Sequence, residues 1–179
     1  MGEMNSLFEG LDGCGAEISP DGVYRYTLTR QWEDGPCVCW LCFNPSTATA
    51  EQDDASIRRI VGFSKLWGYG RMVVVNLYAI RSRSPIVVRY ATDPVGPMND
   101  YWIGESLKES RELICAWGCA QHAPNIVGRI KAILEFINSE KYTPETPINC
   151  LGYRKDGHPR HPLMLSYETQ REEFILKRK

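Results

Sequence analysis

Four short apolar runs constrain this chain more than any other feature. They occupy residues 37–43, the Met-Val-Val-Val core of 71–79, residues 112–117 and residues 147–151. None alternates polar with apolar residues, and none is long enough for a buried helix. Short, continuous runs of this kind, closed by glycine, read as strands covered on both faces. Gly118 and Gly152 close the third and fourth.

The segments between them have helical spacing. Asp54 can cap a helix carrying Ile57, Ile60, Val61 and Ser64, which Gly68 and Gly70 terminate. Asn99 or Asp100 can cap a second, running to about Arg111. Ile126, Ile130, Ile133, Leu134 and Ile137 form the apolar stripe of a third, over 126–138. A short helix over 168–176 closes the chain. Residues 22–30 alternate tyrosine and leucine with polar residues, as an antiparallel edge strand does. Together these predict an α/β fold: a three-layer α/β/α sandwich whose mostly parallel four-stranded sheet carries one N-terminal antiparallel edge strand. Residues 21–179 read as one domain. Residues 1–20 read as a loose tail, from the Gly, Ser and Asp near the N-terminus. No internal repeat or linker divides the chain.

Composition removes several function classes. The 179 residues are 43% hydrophobic and 24% charged with a net charge of −1, so any polyanion must be met by a local patch. No apolar run reaches the roughly 18 residues of a membrane span, and no signal-peptide core opens the chain, which predicts a cytoplasmic protein with no membrane partner. The seven cysteines do not form paired C-x-x-C motifs. Cys39 and Cys42 lie three apart in a strand, so they face opposite ways, and unpaired thiols without a metal are expected. No phosphate-binding G-x-x-x-x-G-K-[ST] or dinucleotide G-x-G-x-x-G follows a strand, and no cofactor is expected.

Ligands of open α/β sheets bind beyond the carboxyl ends of the strands. Four features leave those ends: Asn44-Pro-Ser46 after the first apolar run, Asn76-Leu-Tyr78 with Arg81 after the second, Trp117-Gly118 after the third, and a loop over 153–165 after the fourth. That last loop holds His158 and His161 among Arg154, Lys155, Arg160 and two prolines, a mixture suited to an anionic substrate or leaving group. Each feature also has a plain structural reading. Asn44-Pro45-Ser46 fits an ordinary turn, Asn76 a core amide tying backbone, and Trp117 a core side chain. Arg81 and Arg83 fit a solvated surface, Asp53 and Asp54 helix caps, and His122 a surface position without company.

These motifs resemble a known family. Leu41-Cys-Phe-Asn44-Pro-Ser-Thr-Ala48, Asp53-Asp54 with Arg58, Trp67-Gly-Tyr-Gly70, Val75-Asn76-Leu-Tyr-Ala79 with Arg81 and Pro85, Pro94-Val-Gly96 with Asn99-Asp100, Ala116-Trp-Gly118 and the stretch from Leu151 to Leu163 are similar, in order, to the domain-of-unknown-function family numbered 1643. The likeness runs from about Tyr24 to Leu165. A more distant resemblance is to the uracil-DNA glycosylase superfamily. There a first strand ends in a Gly-x-Asn-Pro or Gly-x-Asp-Pro loop, a second in a base-reading Asn, a third in a Leu-Gly or Trp-Gly step, and a final loop reads His-Pro-Ser-Pro-Leu. Two departures stand out: Phe43 precedes Asn44, and His161-Pro-Leu-Met lacks the Ser-Pro step.

That second resemblance implies a glycosylase-like hydrolase cleaving the N-glycosidic bond of a nucleobase, in DNA or in a nucleotide. Asn44 would position water, His161 would donate to the departing base, and Asp54, or its neighbour Asp53, would supply the carboxylate the Asn44 loop lacks. Ser46, Asn76, Tyr78, Arg81, Trp117, Gly118, Lys155, His158 and Arg160 would hold the substrate, with Tyr78 or Trp117 as the stacking face. A hydrolase of free nucleosides or nucleotides, and a non-catalytic nucleotide- or DNA-binding module, are the rival readings.

Overall fold

The computed structural model describes residues 13–119, 121, 123, 125–137 and 146–176. His122 and Asn138 lie outside them. Among the described residues seven strands form one sheet in the order β1-β2-β4-β3-β5-β6-β7. They are β1 (Gly15–Ile18), β2 (Arg25–Gln31), β3 (Cys37–Cys42), β4 (Arg71–Asn76), β5 (Ser110–Cys115), β6 (Ile148–Cys150) and β7 (Glu172–Glu173). The four apolar runs supply β3, β4, β5 and β6, which are mutually parallel. β1, β2 and β7 are antiparallel additions.

Period-two alternation divides the core. Cys39, Leu41, Val73, Val75, Leu113 and Cys115 face one side. Val38, Trp40, Cys42, Met72, Val74 and Ile114 face the other. Cys39 and Cys42 therefore do point to opposite faces, as their spacing requires. Helix α1 (Ala55–Leu66) covers the second face with Ile57, Ile60 and Phe63, each burial contributing about 1.5–3 kcal/mol. Asp54 caps it, its Oδ1 accepting from Ile57 N at 2.9 Å. The Trp40 indole donates to Ser64 Oγ at 3.0 Å, which lets a buried tryptophan lie under this helix with its N–H satisfied. Helices α2 (Val87–Tyr90), α3 (Asn99–Lys108) and α4 (Ile126–Ile137) contribute Val88, Ile103, Leu107, Ile130 and Ile133 to the first face.

Several expectations need correction. The terminal helix over 168–176 does not form. Its middle is β7, and Phe174 N donates to Ile148 O at 2.8 Å. A helix that short gains little by itself, whereas β6 has an open edge, and Phe174 buries its ring edge-on to Trp117. The 22–30 strand begins at Arg25 and is not the edge, because β1 pairs outside it. Residues 15–18, inside the stretch read as a loose tail, are thus sheet. Asn99 is the first residue of α3 and does not cap it: its buried Nδ2 donates to Asn76 O at 3.0 Å and Leu77 O at 3.3 Å. Those bonds hold the chain where it leaves β4. Helix α3 stops at Lys108, since Ser110 already pairs with Cys37 in β5. Among the described residues no helix is long and apolar enough to cross a membrane.

Candidate functional site

The chain runs from β3 to β4 on one side and then crosses over β3 to β5 on the other. The carboxyl ends of the three strands diverge there, and in open α/β sheets that crevice is where ligands sit. A cavity of about 410 Å³ occupies it. Cys42, Phe43, Asn44 and Ser46 arrive from β3, Asn76 from β4, and Trp117 and Cys119 from the segment after β5. Asp54, Ser56 and Ile57 come from the start of α1, Ser82 and Arg83 from the loop after β4, and His161 and Leu163 from the last loop.

Asn76 is the last residue of β4 and is 1% exposed. Its backbone oxygen is taken by Asn99, but its side-chain Nδ2, fully buried in the cavity wall, has no acceptor among the described residues. A buried amide donor left unsatisfied costs about 1–3 kcal/mol, so the arrangement calls for an acceptor from the cavity side, a water or a ligand atom. Asn44 is arranged in the opposite sense. Its Nδ2 donates to Pro45 O, Ser82 O (both 3.1 Å) and Ile80 O (3.4 Å), tying the two loops together and leaving its oxygen to accept.

His161 accepts from Leu163 N through Nδ1 at 3.2 Å. The neutral ring therefore carries its proton on Nε2, the remaining donor. Burial pushes its pKa below the usual value, with the charge of Asp54 opposing the shift, so the neutral form is favoured. The ring comes close because residue 118 is glycine: φ is +69°, and a Cβ there would sit 2.8 Å from His161 Cβ. Gly118 N also donates to Pro159 O at 3.1 Å, fastening the last loop to β5.

Asp54 reaches the cavity while capping α1. One carboxylate oxygen takes Ile57 N, and the other accepts no hydrogen bond among the described residues. Asp53, its neighbour, is instead paired with Arg30 at 2.8 Å and lies outside the cavity.

The remaining expected residues divide. Ser46 and Trp117 line the cavity, and the Trp117 indole donates to His158 Nδ1 at 3.3 Å, so His158 stands behind the tryptophan. Tyr78 also stands behind: it is buried and packs edge-on to Phe43 at 5.4 Å, and Phe43 meets the cavity. Arg81 points away, donating to Gly22 O at 3.0 Å, and Arg83 takes the position by the cavity. Lys155 and Arg160 are exposed and do not line it.

Several cavity residues have no warning in the sequence, Phe43 and Arg25 among them. Phe43 reads simply as the end of an apolar strand. Arg25 sits in a strand of alternating polarity where a charged residue belongs on the outer face. Yet it is 2% exposed and lines the cavity, its Nη1 donating to Ala48 O at 2.5 Å. Desolvation lowers its pKa to about 10, against the opposing charge of Asp54, so it stays cationic at neutral pH.

No curated protein and no solved structure matches this chain. The family model described as "Protein of unknown function (DUF1643)" matches residues 25–163, which take in every cavity-lining residue named above, and the chain belongs to that family.

Proposed function

We propose that this protein is a hydrolase that cleaves the N-glycosidic bond of a nucleobase, in DNA or in a nucleotide. The observation that carries this reading is the unpartnered Nδ2 of Asn76, buried in the same cavity as the Nε2–H of His161. Two fixed donors in a pocket walled by Phe43 and Trp117 suit a flat heterocycle that gains negative charge as it departs. The motif likeness to the uracil-DNA glycosylase superfamily supports the same assignment. About 410 Å³ is ample for a base with its sugar.

In this reading a water held by the Asn44 oxygen and the free oxygen of Asp54 attacks the anomeric carbon. The new C–O bond forms as the C–N bond breaks, and the bonding pair goes to the base. Asp54 takes the water's proton, and His161 and Asn76 donate hydrogen bonds to the accumulating charge. That proton finally passes to the base or to solvent. A positioned general base contributes typically about 10²–10⁴-fold and an oxyanion donor about 10²–10³-fold. The Asp54 carboxylate is what favours hydrolysis over binding alone.

The test is base release. The protein is incubated with oligonucleotides carrying uracil, mismatched thymine or modified cytosine, single- and double-stranded, and with free nucleotides, and liberated base is quantified. Release that is lost in His161→Ala supports the reading. No release from any substrate, or release undiminished in that variant, refutes it.

A further inference from the structure

Arg25 is the most anomalous side chain of the cavity. A guanidinium carries five donors, and here only Nη1 is used, on Ala48 O. Nε is fully buried without an acceptor, and Nη2 makes no hydrogen bond among the described residues. Those two atoms form the side of the fork that grips two oxygens of a carboxylate or phosphate at once. No carboxylate among the described residues comes within ion-pair distance of Arg25, although Asp54 lines the same cavity. A buried, half-satisfied cation weakens a fold unless something else completes it.

The backbone aims it there deliberately. Pairing between β1 and β2 runs Glu17↔Thr27 and then Ile18↔Arg25, skipping Tyr26. This bulge turns Arg25 onto the face of Leu28, the α1 side, where plain alternation would have placed it on the other. Bulges beside binding sites commonly re-aim one side chain in this way.

Resting on the nucleobase reading above, we propose that Arg25 is an anion-reading residue and that the ligand is a free nucleotide whose phosphate closes on the Nε–Nη2 edge. Arg25, Asn76 and His161 each present a free donor, Arg25 apart from the other two in the chain, so the ligand must bring acceptors at two places. The base supplies one and a phosphate the other. A guanidinium that is 2% exposed is reached only from within the cavity, and a terminal 5′-phosphate enters there freely with its base, whereas a phosphate held between two nucleotides brings the strand with it. The phosphate must therefore enter with the ligand, which selects the monomer over the polymer.

Calorimetric titration of the full chain tests this with uridine, cytidine, adenosine and guanosine, their deoxy forms, the corresponding 5′-monophosphates and inorganic phosphate. The expected result is that at least one monophosphate binds tenfold or more tightly than its nucleoside. In Arg25→Lys and Arg25→Gln, checked by urea unfolding, that advantage disappears. Equal binding of nucleoside and monophosphate by the wild type overturns the proposal without recourse to any variant. So does an advantage that survives in both variants, or failure of every phosphate compound to bind. Asn76→Ala separates the two readings, since it should weaken nucleoside and monophosphate alike. If no nucleoside binds but inorganic phosphate does, and Arg25→Gln abolishes that binding, the base reading fails and the anion site stands.

Discussion

Replacing Asp54 by asparagine separates the cap it forms from the general base it is proposed to be. As the cap of α1 its Oδ1 accepts from Ile57 N at 2.9 Å. As the proposed base it uses the other oxygen. Asparagine caps a helix about as well as aspartate, whereas alanine caps poorly and costs about 1 kcal/mol. Both substitutions remove the negative charge that acts on Arg25 and His161, so that effect drops out of a comparison between them. With a urea m-value of about 2 kcal/mol/M, Asp54→Ala should unfold at a midpoint about 0.5 M below Asp54→Asn. Turnover should fall in both by about 10²–10⁴-fold. Urea unfolding followed by fluorescence gives the first comparison and chromatographic base release the second. Turnover of Asp54→Asn within tenfold of the wild type would refute the role of Asp54 as base. Equal midpoints for the two variants would refute its role as the cap.

Three further predictions are independent of it. Gly118→Ala places a Cβ 2.8 Å from His161 Cβ on a residue with φ +69°, a conformation costing a non-glycine residue about 1–2 kcal/mol; thermal unfolding should show the loss, and base release should fall with it as His161 is displaced. Burial lowers the folded pKa of His161, so between that value and the usual 6.5 the unfolded chain binds more protons. The stability contributed by His161 is therefore complete above about pH 6.5 and is lost as pH falls through the folded value, and a pH series of urea midpoints should be flatter in His161→Gln. Burial also pushes the Cys37 thiol to about 11 and that of Cys42 to about 12, while Cys14 and Cys119 are half-buried. Iodoacetamide should modify Cys14 and Cys119 in the native protein and the other five only after unfolding, and a cavity ligand should slow Cys119 alone, as read by peptide mass spectrometry.

The parallel core was legible because a strand covered on both faces must be mainly apolar, and four short runs had that property. The convergence of Asn44, Asn76, Trp117 and His161 followed from strand direction alone. Asp54 was legible as the cap of α1. Other placements depended on contacts that no local pattern encodes. Arg25 reaches the cavity through a bulge set by the pairing of β1 with β2, and nothing in its own strand announces it. Lys155 and Arg160 neighbour the histidines in sequence, yet in an irregular loop adjacent side chains diverge, and both face solvent. The 168–176 segment has helical spacing but is drawn into the sheet by the open edge of β6 and the apolar site for Phe174.

The proposed hydrolysis requires that a nucleobase enter this cavity and bring its acceptors to Asn76 and His161. A crystal structure of Asp54→Asn with a nucleoside or nucleotide bound tests it most directly. The expected result is a ring lying between Phe43 and Trp117, with acceptor atoms within about 3.2 Å of Asn76 Nδ2 and His161 Nε2. A ligand seated elsewhere, or one in the cavity that leaves the Asn76 amide nitrogen without a partner, would contradict it.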